Sequence, residues 1–372
     1  MKITREEQNH QLMLRSTLIT VLAAGITLTG LLGIYRTLAI SGEWQDFLLK
    51  QSIWALAAWS IFFALQKISF EQLMRWSLPL AGVGALSLLL LPFSGTTLNG
   101  MTGWYSFGEL TIQPSEIIKV FYILALTWIL CNKTIPEVMR FVLALGVIGV
   151  FALLLLIQPD FGTMSVYLLA GAGTLFFCRI KWRYLLATVA GAALIAAGTL
   201  LCHDYMRRRL IHFLDPSLDP TGGSWHLRQF AIAVARGEWF GVKTDMAVWS
   251  NSFLPLAHND SIFAGVCEIT GFCGGILLLL FYGAFFQQIF MLSYWRRDPF
   301  RRSVIDSLAF MLLVQTILHI WVNLNLLPPT GITLPLISYG GSSITGTMLM
   351  IAIIIIAGRK PFKQHPAINI QQ

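Results

Sequence analysis

Apolar stretches long enough to cross a bilayer recur along the whole chain, and no layered water-soluble fold can bury so many of them. A hydrocarbon core about 30 Å thick is crossed by about 20 apolar residues in a helix. Ten such stretches are read at residues 17–40, 48–65, 76–93, 115–131, 138–157, 163–178, 184–202, 262–290, 305–326 and 343–358. In lipid each backbone polar group needs a partner within the protein, which favours helices as the spanning element. Composition agrees, since 56% of the residues are hydrophobic and only 12% are charged, against roughly 25% charged in a soluble domain. The first stretch is too long for a signal-peptide core and no small-residue cleavage site follows it, so it counts as a helix. The expected fold is an all-α integral membrane protein of about ten transmembrane helices, a single polytopic membrane domain over residues 1–372.

The basic residues orient these spans. Lys2, Arg5 and Arg15 precede the first, Lys67 and Arg75 follow the second, and Lys133 and Arg140 follow the fourth. Arg179, Lys181 and Arg183 follow the sixth, Arg296, Arg297, Arg301 and Arg302 follow the eighth, and Arg359, Lys360 and Lys363 come after the tenth. These are 17 of the 26 Lys and Arg, all on one side and mostly in short segments, where the positive-inside bias operates. That side is expected to be cytoplasmic, with both termini there. The net charge of +8 is therefore read as membrane orientation, and no nucleic-acid partner is expected. The opposite side carries one large extracytoplasmic loop, residues 203–261, between helices 7 and 8. Five cysteines, Cys131, Cys178, Cys202, Cys267 and Cys273, show neither metal spacing nor a disulfide framework and read as small hydrophobes.

Parity then gathers several ionisable groups and one tryptophan at the outer rim. Trp104 lies in the loop before span four, Glu116 and Lys119 stand near the start of that span, Asp160 lies at the junction of spans five and six, and Asp260 precedes span eight. Charged groups at a membrane edge are expensive and mark functional sites. Each also has a structural reading. Asp260 opens a helix, where Asp is a favoured cap. Glu116 and Lys119, three apart, can neutralise one another. Asp160, between Pro159 and Gly162, suits a turn, and Trp104 suits an interfacial belt. Pro114 is expected to fix a helix start. Tyr339-Gly340-Gly341-Ser342-Ser343 lacks the spacing of a nucleotide loop and reads as a re-entrant segment buried in protein.

Five blocks occur in order: NGMTGWYSFGELTIQPSEIIK (99–119), QPDFGT (158–163), DYMRRRLIHFLDPSLDP (204–220), FLPLAHNDSIFA (253–264) and LPPTGITLPLISYGGSS (327–343). Together they resemble the SEDS family (shape, elongation, division and sporulation), and the third block is nearer to its rod-shape branch than to its division branch. The resemblance implies a ten-helix, inverting peptidoglycan glycosyltransferase. Such an enzyme joins lipid II, an undecaprenyl-pyrophosphate-linked disaccharide peptide, at the outer face of the bacterial cytoplasmic membrane. It also implies a transpeptidase partner of the class B penicillin-binding type. The reaction asks for a carboxylate near the acceptor hydroxyl and cations near the leaving phosphates. Asp260 is the catalytic candidate, with His258 close enough in sequence to orient it.

The loop segments DYMRRRLIHFL and SWHLRQFAIAVARGEWF show helical apolar spacing, with DPSLDPTGG as the turn between them. Amphipathic helices with arginines suit a headgroup layer of membrane lipid, and a guanidinium grips phosphate in a bidentate manner. Arg207, Arg209 and Gln229 therefore join Trp104, Glu116, Lys119, Asp160 and His258 as substrate-binding candidates. No motif fixes a cofactor, and a divalent cation such as Mg2+ is the one candidate.

The chain departs from the family pattern at Leu256, where a Glu is usual, and at Ser261, where an aromatic is usual. Thr102 and Gly103 stand where a basic pair often does, VKTDMAVWSNS replaces a Gly- and Gln-rich stretch, and Ile269 takes one place of an acidic pair beside Glu268. Two other functions stay open at this point, a lipid II transporter and an inactive scaffold for a penicillin-binding protein. A transporter would place its polar site near the bilayer midplane, where only Glu268 reaches.

Overall fold

The computed structural model describes residues 4–359 except 41, 43, 99, 109, 203, 220, 221, 223 and 244–246. Lys2, Lys360 and Lys363 lie outside the described residues. The chain runs α1 (Arg5–Thr37), α2 (Trp44–Leu65), α3 (Phe70–Ser94), β1 (Thr96–Leu98), β2 (Met101–Phe107), β3 (Leu110–Ile112), α4 (Pro114–Cys131), α5 (Glu137–Ile157), α6 (Phe161–Phe177) and α7 (Trp182–Cys202). It continues through α8 (Asp204–Leu214), α9 (Trp225–Arg236), α10 (Val248–Ser252), α11 (Ile262–Trp295), α12 (Pro299–Asn323) and α13 (Gly341–Gly358).

Among the described residues nine helices are long and apolar enough to cross a membrane. The remaining expected span, the sixth, is α6, whose 17 residues rise about 26 Å at 1.5 Å per residue and sit at the short end of the spanning range. The protein is a multi-pass helical membrane protein. Helices α4, α12 and α13 form its centre and are buried on most sides, whereas α7 turns nearly all its side chains outward. Exposed leucines and valines such as Leu28, Val83 and Leu194 lie on the outer helices, where lipid receives them.

Local chemistry sets the helix ends. Ser69 and Gln72 form a reciprocal capping box at the start of α3. Pro114 opens α4, as expected, because its missing N–H is an orphan there anyway. Close approach of two helices needs small residues. At Gly346 of α13 an added Cβ would stand 2.0 Å from the Glu116 carbonyl oxygen of α4, so only glycine fits.

Two features modify the expected outline. Residues 96–112 form an antiparallel β-meander in the order β1-β2-β3, with Leu98 opposite Met101 and Phe107 opposite Leu110. Helix α11 is broken at Gly271, whose φ of 70° with ψ of −172° lies in a region essentially open to glycine alone. The backbone of 238–242 fills the break: Phe272 N donates to Glu238 O (2.8 Å), Cys273 N to Trp239 O (3.1 Å) and Val242 N to Glu268 O (3.0 Å).

Candidate active site

The irregular segment 327–340 is buried between helices over 332–338 and half-buried at most of its flanking residues, as the re-entrant reading expects. Its polar backbone is satisfied by four side chains from three helices, α2, α11 and α12. Gln51 donates to Ser338 O (3.3 Å) and accepts from Gly340 N (3.0 Å). The Tyr282 hydroxyl donates to Pro335 O (2.5 Å), His319 Nδ1 contacts Ile332 O (2.7 Å), and Gln315 Nε2 donates to Thr333 O (3.0 Å). Such backbone is tolerated in a membrane protein only when it is paired in this way.

The turn 253–261 rests on this segment. Tyr339 N donates to His258 O (2.8 Å), and the Ser338 hydroxyl donates to Asn259 O (2.8 Å). Leu256 holds a φ of 47°, a conformation costing a branched residue on the order of 1–3 kcal/mol. Asn259 N donates to its carbonyl (2.8 Å), and the Ser261 hydroxyl closes the turn on Pro255 O. Two of the unusual residues of this chain, Leu256 and Ser261, therefore shape the turn itself.

Asp260 leaves that turn half-buried. The N-cap of α11 is Ser261, without a side-chain cap bond, so the Asp260 carboxyl does not cap the helix. The Asp260 backbone is fixed instead. Asn323, at the end of α12, donates to Asp260 O (3.0 Å) and accepts from Ala264 N (3.0 Å). The carboxyl has no hydrogen-bond partner among the described residues. Burial pushes its pKa up to about 6; the Arg209 guanidinium pulls it down and the Asp160 carboxylate adds to the rise. Gly331 lies over it, where an added Cβ would stand 3.6 Å from Oδ2.

Three of the expected residues thus meet. Arg209, on α8, reaches the 327–340 segment by donating to Pro329 O (2.8 Å), and its charge acts on Asp260. Asp160 caps α6 by accepting from Thr163 N (3.0 Å), and Gln113 Nε2 donates to its other oxygen (3.4 Å). The turn role expected for Asp160 is therefore real, and its charge acts on Asp260 as well. Burial also lifts the Asp160 pKa to about 6.

A family model described as a cell cycle protein of the FtsW, RodA and SpoVE type matches residues 11–361. The chain belongs to this family. Among its relatives, a probable peptidoglycan glycosyltransferase FtsW from Marinomonas mediterranea is 31% identical over 92% of this chain and 87% of its own length. One of the same name from Alcanivorax borkumensis is 34% identical over 80% of this chain and 79% of its own. A solved structure that concerns the coordination of polymerization and crosslinking by a peptidoglycan synthase complex superposes with a TM-score of 0.78 at 28% identity, covering 93% of this chain and 98% of that one. The rod shape determining protein RodA of Thermus thermophilus superposes with a TM-score of 0.71 at 25% identity, over 93% of this chain and 97% of that one. The relatives carry the division member's name and this structure the rod-shape member's, so family is what the likenesses share.

In this family member the other expected site residues lie elsewhere. Lys119 is 1% exposed; it pairs with Glu116 Oε2 (2.5 Å) and donates to Gln315 Oε1 (2.8 Å), so neither Lys119 nor Glu116 is open to a substrate as expected. The His258 ring does not orient Asp260. It packs against Phe47 (4.3 Å between centroids) and Tyr339 (5.5 Å), and burial pulls its pKa down to about 4, leaving it neutral. Arg207 pairs with Asp204 (2.7 Å) at the surface, and Gln229 is buried in α9 with its carbonyl oxygen unpartnered among the described residues. Trp104, half-buried on β2, follows Gly103, whose added Cβ would stand 3.9 Å from Gln113 Nε2. Sequence reasoning missed Asn323, Gln113 and Gln315. These are neutral amides with no charge to flag them, and only the tertiary contacts reveal their roles.

Proposed function

We propose that the protein is a peptidoglycan glycosyltransferase that joins lipid II units at the outer face of the bacterial cytoplasmic membrane, with Asp260 as general base. The observation that carries this reading is the Asp260 carboxyl itself. It is fixed at its backbone, free at its oxygens among the described residues, beside a guanidinium, and poised near pH 6. A base with such a pKa is ionised at neutral pH and still holds a proton well, the compromise general-base catalysis favours. The acceptor hydroxyl gives its proton to Asp260 as its oxygen bonds the donor's anomeric carbon. The bond from that carbon to the pyrophosphate oxygen breaks with its electron pair, and Arg209 balances the charge that leaves. Attack opposite the leaving group inverts the anomeric carbon.

The names of the relatives support this reading, and the synthase complex supports a class B penicillin-binding transpeptidase as partner. A transport site would need Glu268 free near the midplane. Glu268 instead accepts from Arg236 Nε (3.1 Å), Trp249 N (3.2 Å) and Ser250 N (2.6 Å). A Mg2+ ion would meet Asp160 and Asp260 but no third acidic, His or Cys side chain clustered with them among the described residues, so it would be held through the substrate's phosphates. Purified protein given lipid II, alone and with a cognate transpeptidase, should form glycan strands; no strands in either condition would leave only the scaffold reading. As pH falls through about 6 the base is protonated, so kcat/KM should drop about tenfold per unit below that value. Asp160 titrates in the same range and interacts with Asp260, so the apparent values belong to the pair. A flat rate between about pH 5 and 8 would remove a carboxylate base.

Binding makes its own prediction. Losing one charge-assisted contact costs about 1.5–3 kcal/mol, about 10- to 100-fold in affinity. Arg209→Ala should weaken lipid II binding by that amount, while Arg207→Ala, whose guanidinium sits on Asp204 in water, should change little. Equal affinities for the two variants and the parent would take Arg209 out of the site.

From the basic bias we further expect both termini in the cytoplasm and residues 203–261 outside. Ser252 is exposed on α10, so Ser252→Cys in a chain without its native cysteines should be labelled by an impermeant maleimide from the outside of intact cells. Labelling only after permeabilisation would reverse the orientation and the site with it.

A further inference from the structure

Helices α4 and α6 run side by side from a common end. At their N-termini Gln113, ahead of α4, meets Asp160, the cap of α6. The Tyr167 hydroxyl reaches back to donate to Ser115 O at the start of α4 (2.7 Å), and midway the Tyr122 hydroxyl donates to Tyr167 O (2.9 Å), with the two rings 4.7 Å apart. At the far end Cys131, the last residue of α4, and Cys178, the cap of α6, bring their Sγ atoms to 3.6 Å. Both thiols are half-buried. The sequence shows no sign of this pairing, because the cysteines are 47 residues apart and share no motif spacing.

The surroundings suit thiol chemistry. Arg140, which donates to Leu130 O (2.8 Å), brings a positive charge to both sulfurs, and the Ser303 hydroxyl stands beside them while it holds Phe177 O (3.1 Å). A neighbouring cation favours the thiolate, which is the attacking form. A small cavity of about 30 Å³, lined by Trp128, Cys131, Asn132 and Phe300, opens beside Cys131 with room for a molecule of about the size of water.

We propose that Cys131 and Cys178 form an oxidisable dithiol, a site at which a hydroperoxide joins α4 to α6 by a disulfide at the end away from Asp160. One thiolate attacks a peroxide oxygen; the O–O bond breaks, giving a sulfenic acid and, with hydrogen peroxide, one water. The second thiol attacks the sulfenic sulfur, the S–S bond forms, the S–O bond breaks and a second water leaves. Two thiols are oxidised by two electrons as one peroxide is reduced to two waters. The helices are already packed along their length, so the sulfurs close the gap without a change of fold. In the orientation proposed above the pair faces the cytoplasm, where such disulfides are transient and redox-sensing. The thiol chemistry itself is tested without reference to orientation or to polymerase activity.

The test uses full-length protein carrying Cys202→Ser and Cys273→Ser, which removes the two exposed thiols and leaves three. After dilute hydrogen peroxide, denaturation and maleimide counting, three free thiols should fall to one and return to three with dithiothreitol. Proteolysis should give a linked pair of peptides containing Cys131 and Cys178. Cys131→Ser in the same background should keep both its remaining thiols, and the oxidised parent should melt above its reduced form. If Cys131→Ser does not fold, the peptide map of the parent decides. Three thiols surviving peroxide, or a linkage through Cys267, would overturn the proposal.

Discussion

Asp260→Asn is expected to lower glycan polymerisation from lipid II by about 10²-fold or more, while the protein folds, inserts and melts no lower than the parent. The two effects have one cause. Burial pushes the Asp260 carboxyl up to about 6, so the folded chain holds that proton more tightly than the unfolded one. The stability linked to this group is full below the ordinary carboxylate value and is lost as pH rises through about 6. At neutral pH the ionised group therefore weighs against folding, and an amide of the same shape relieves that. Asn also leaves the Asn323 bond to the residue 260 carbonyl intact, because that bond is to backbone. Activity assays and thermal melts of the same preparation test both halves. Near-normal synthesis by Asp260→Asn would return Asp260 to a structural role and strengthen the scaffold reading.

The spans were legible because the bilayer dictates a length that composition alone reveals. Their ends were less so. Helix α1 begins at Arg5 rather than near residue 17, since its first turns are polar, capped by Thr4 and docked through Gln8 to Trp295 O (2.7 Å) and Arg15 to Gln288 (2.7 Å). A reading based on apolarity sees only the part in lipid. The β-meander did carry a signal, the Asn99-Gly100 dipeptide typical of a two-residue hairpin, but its outer strands have only 3 residues each and the 7 of the middle strand do not alternate in burial.

The candidate site was legible in its charged residues and not in their partners. Whether Asp260 caps its helix turns on one residue of register: Ser261 is the cap, and the sequence allowed either. His258 lies two residues from Asp260 in the chain, yet the turn sends its ring toward Phe47. Nearness in sequence does not survive a tight turn. Arg209, 51 residues from Asp260, comes close instead because α8 lies against the 327–340 segment.

Lys119→Ala should destabilise the protein by about 3–5 kcal/mol, the usual cost of removing one partner of a buried ion pair. The Lys119 side chain is 2% exposed and that of Glu116 is 8% exposed, so the truncation leaves a carboxylate in the protein interior without its cation. The damage should spread along a chain of bonds. Lys119 holds Gln315, whose amide holds Thr333 O and Oγ1 (both 3.0 Å), and the Thr333 hydroxyl meets Ser343 Oγ (2.7 Å). That chain fixes the segment on which the Asp260 turn rests. A loss of activity in Lys119→Ala would therefore say nothing by itself about substrate contact. The double variant Glu116→Gln with Lys119→Met separates the two cases, because it removes both charges and keeps similar volume. Replacing a buried pair by neutral groups is often harmless to stability, so the double variant should melt well above Lys119→Ala. If Lys119→Ala instead melts with the parent but binds lipid II more weakly, the lysine touches the substrate after all, and the buried pair is not what holds this part of the site.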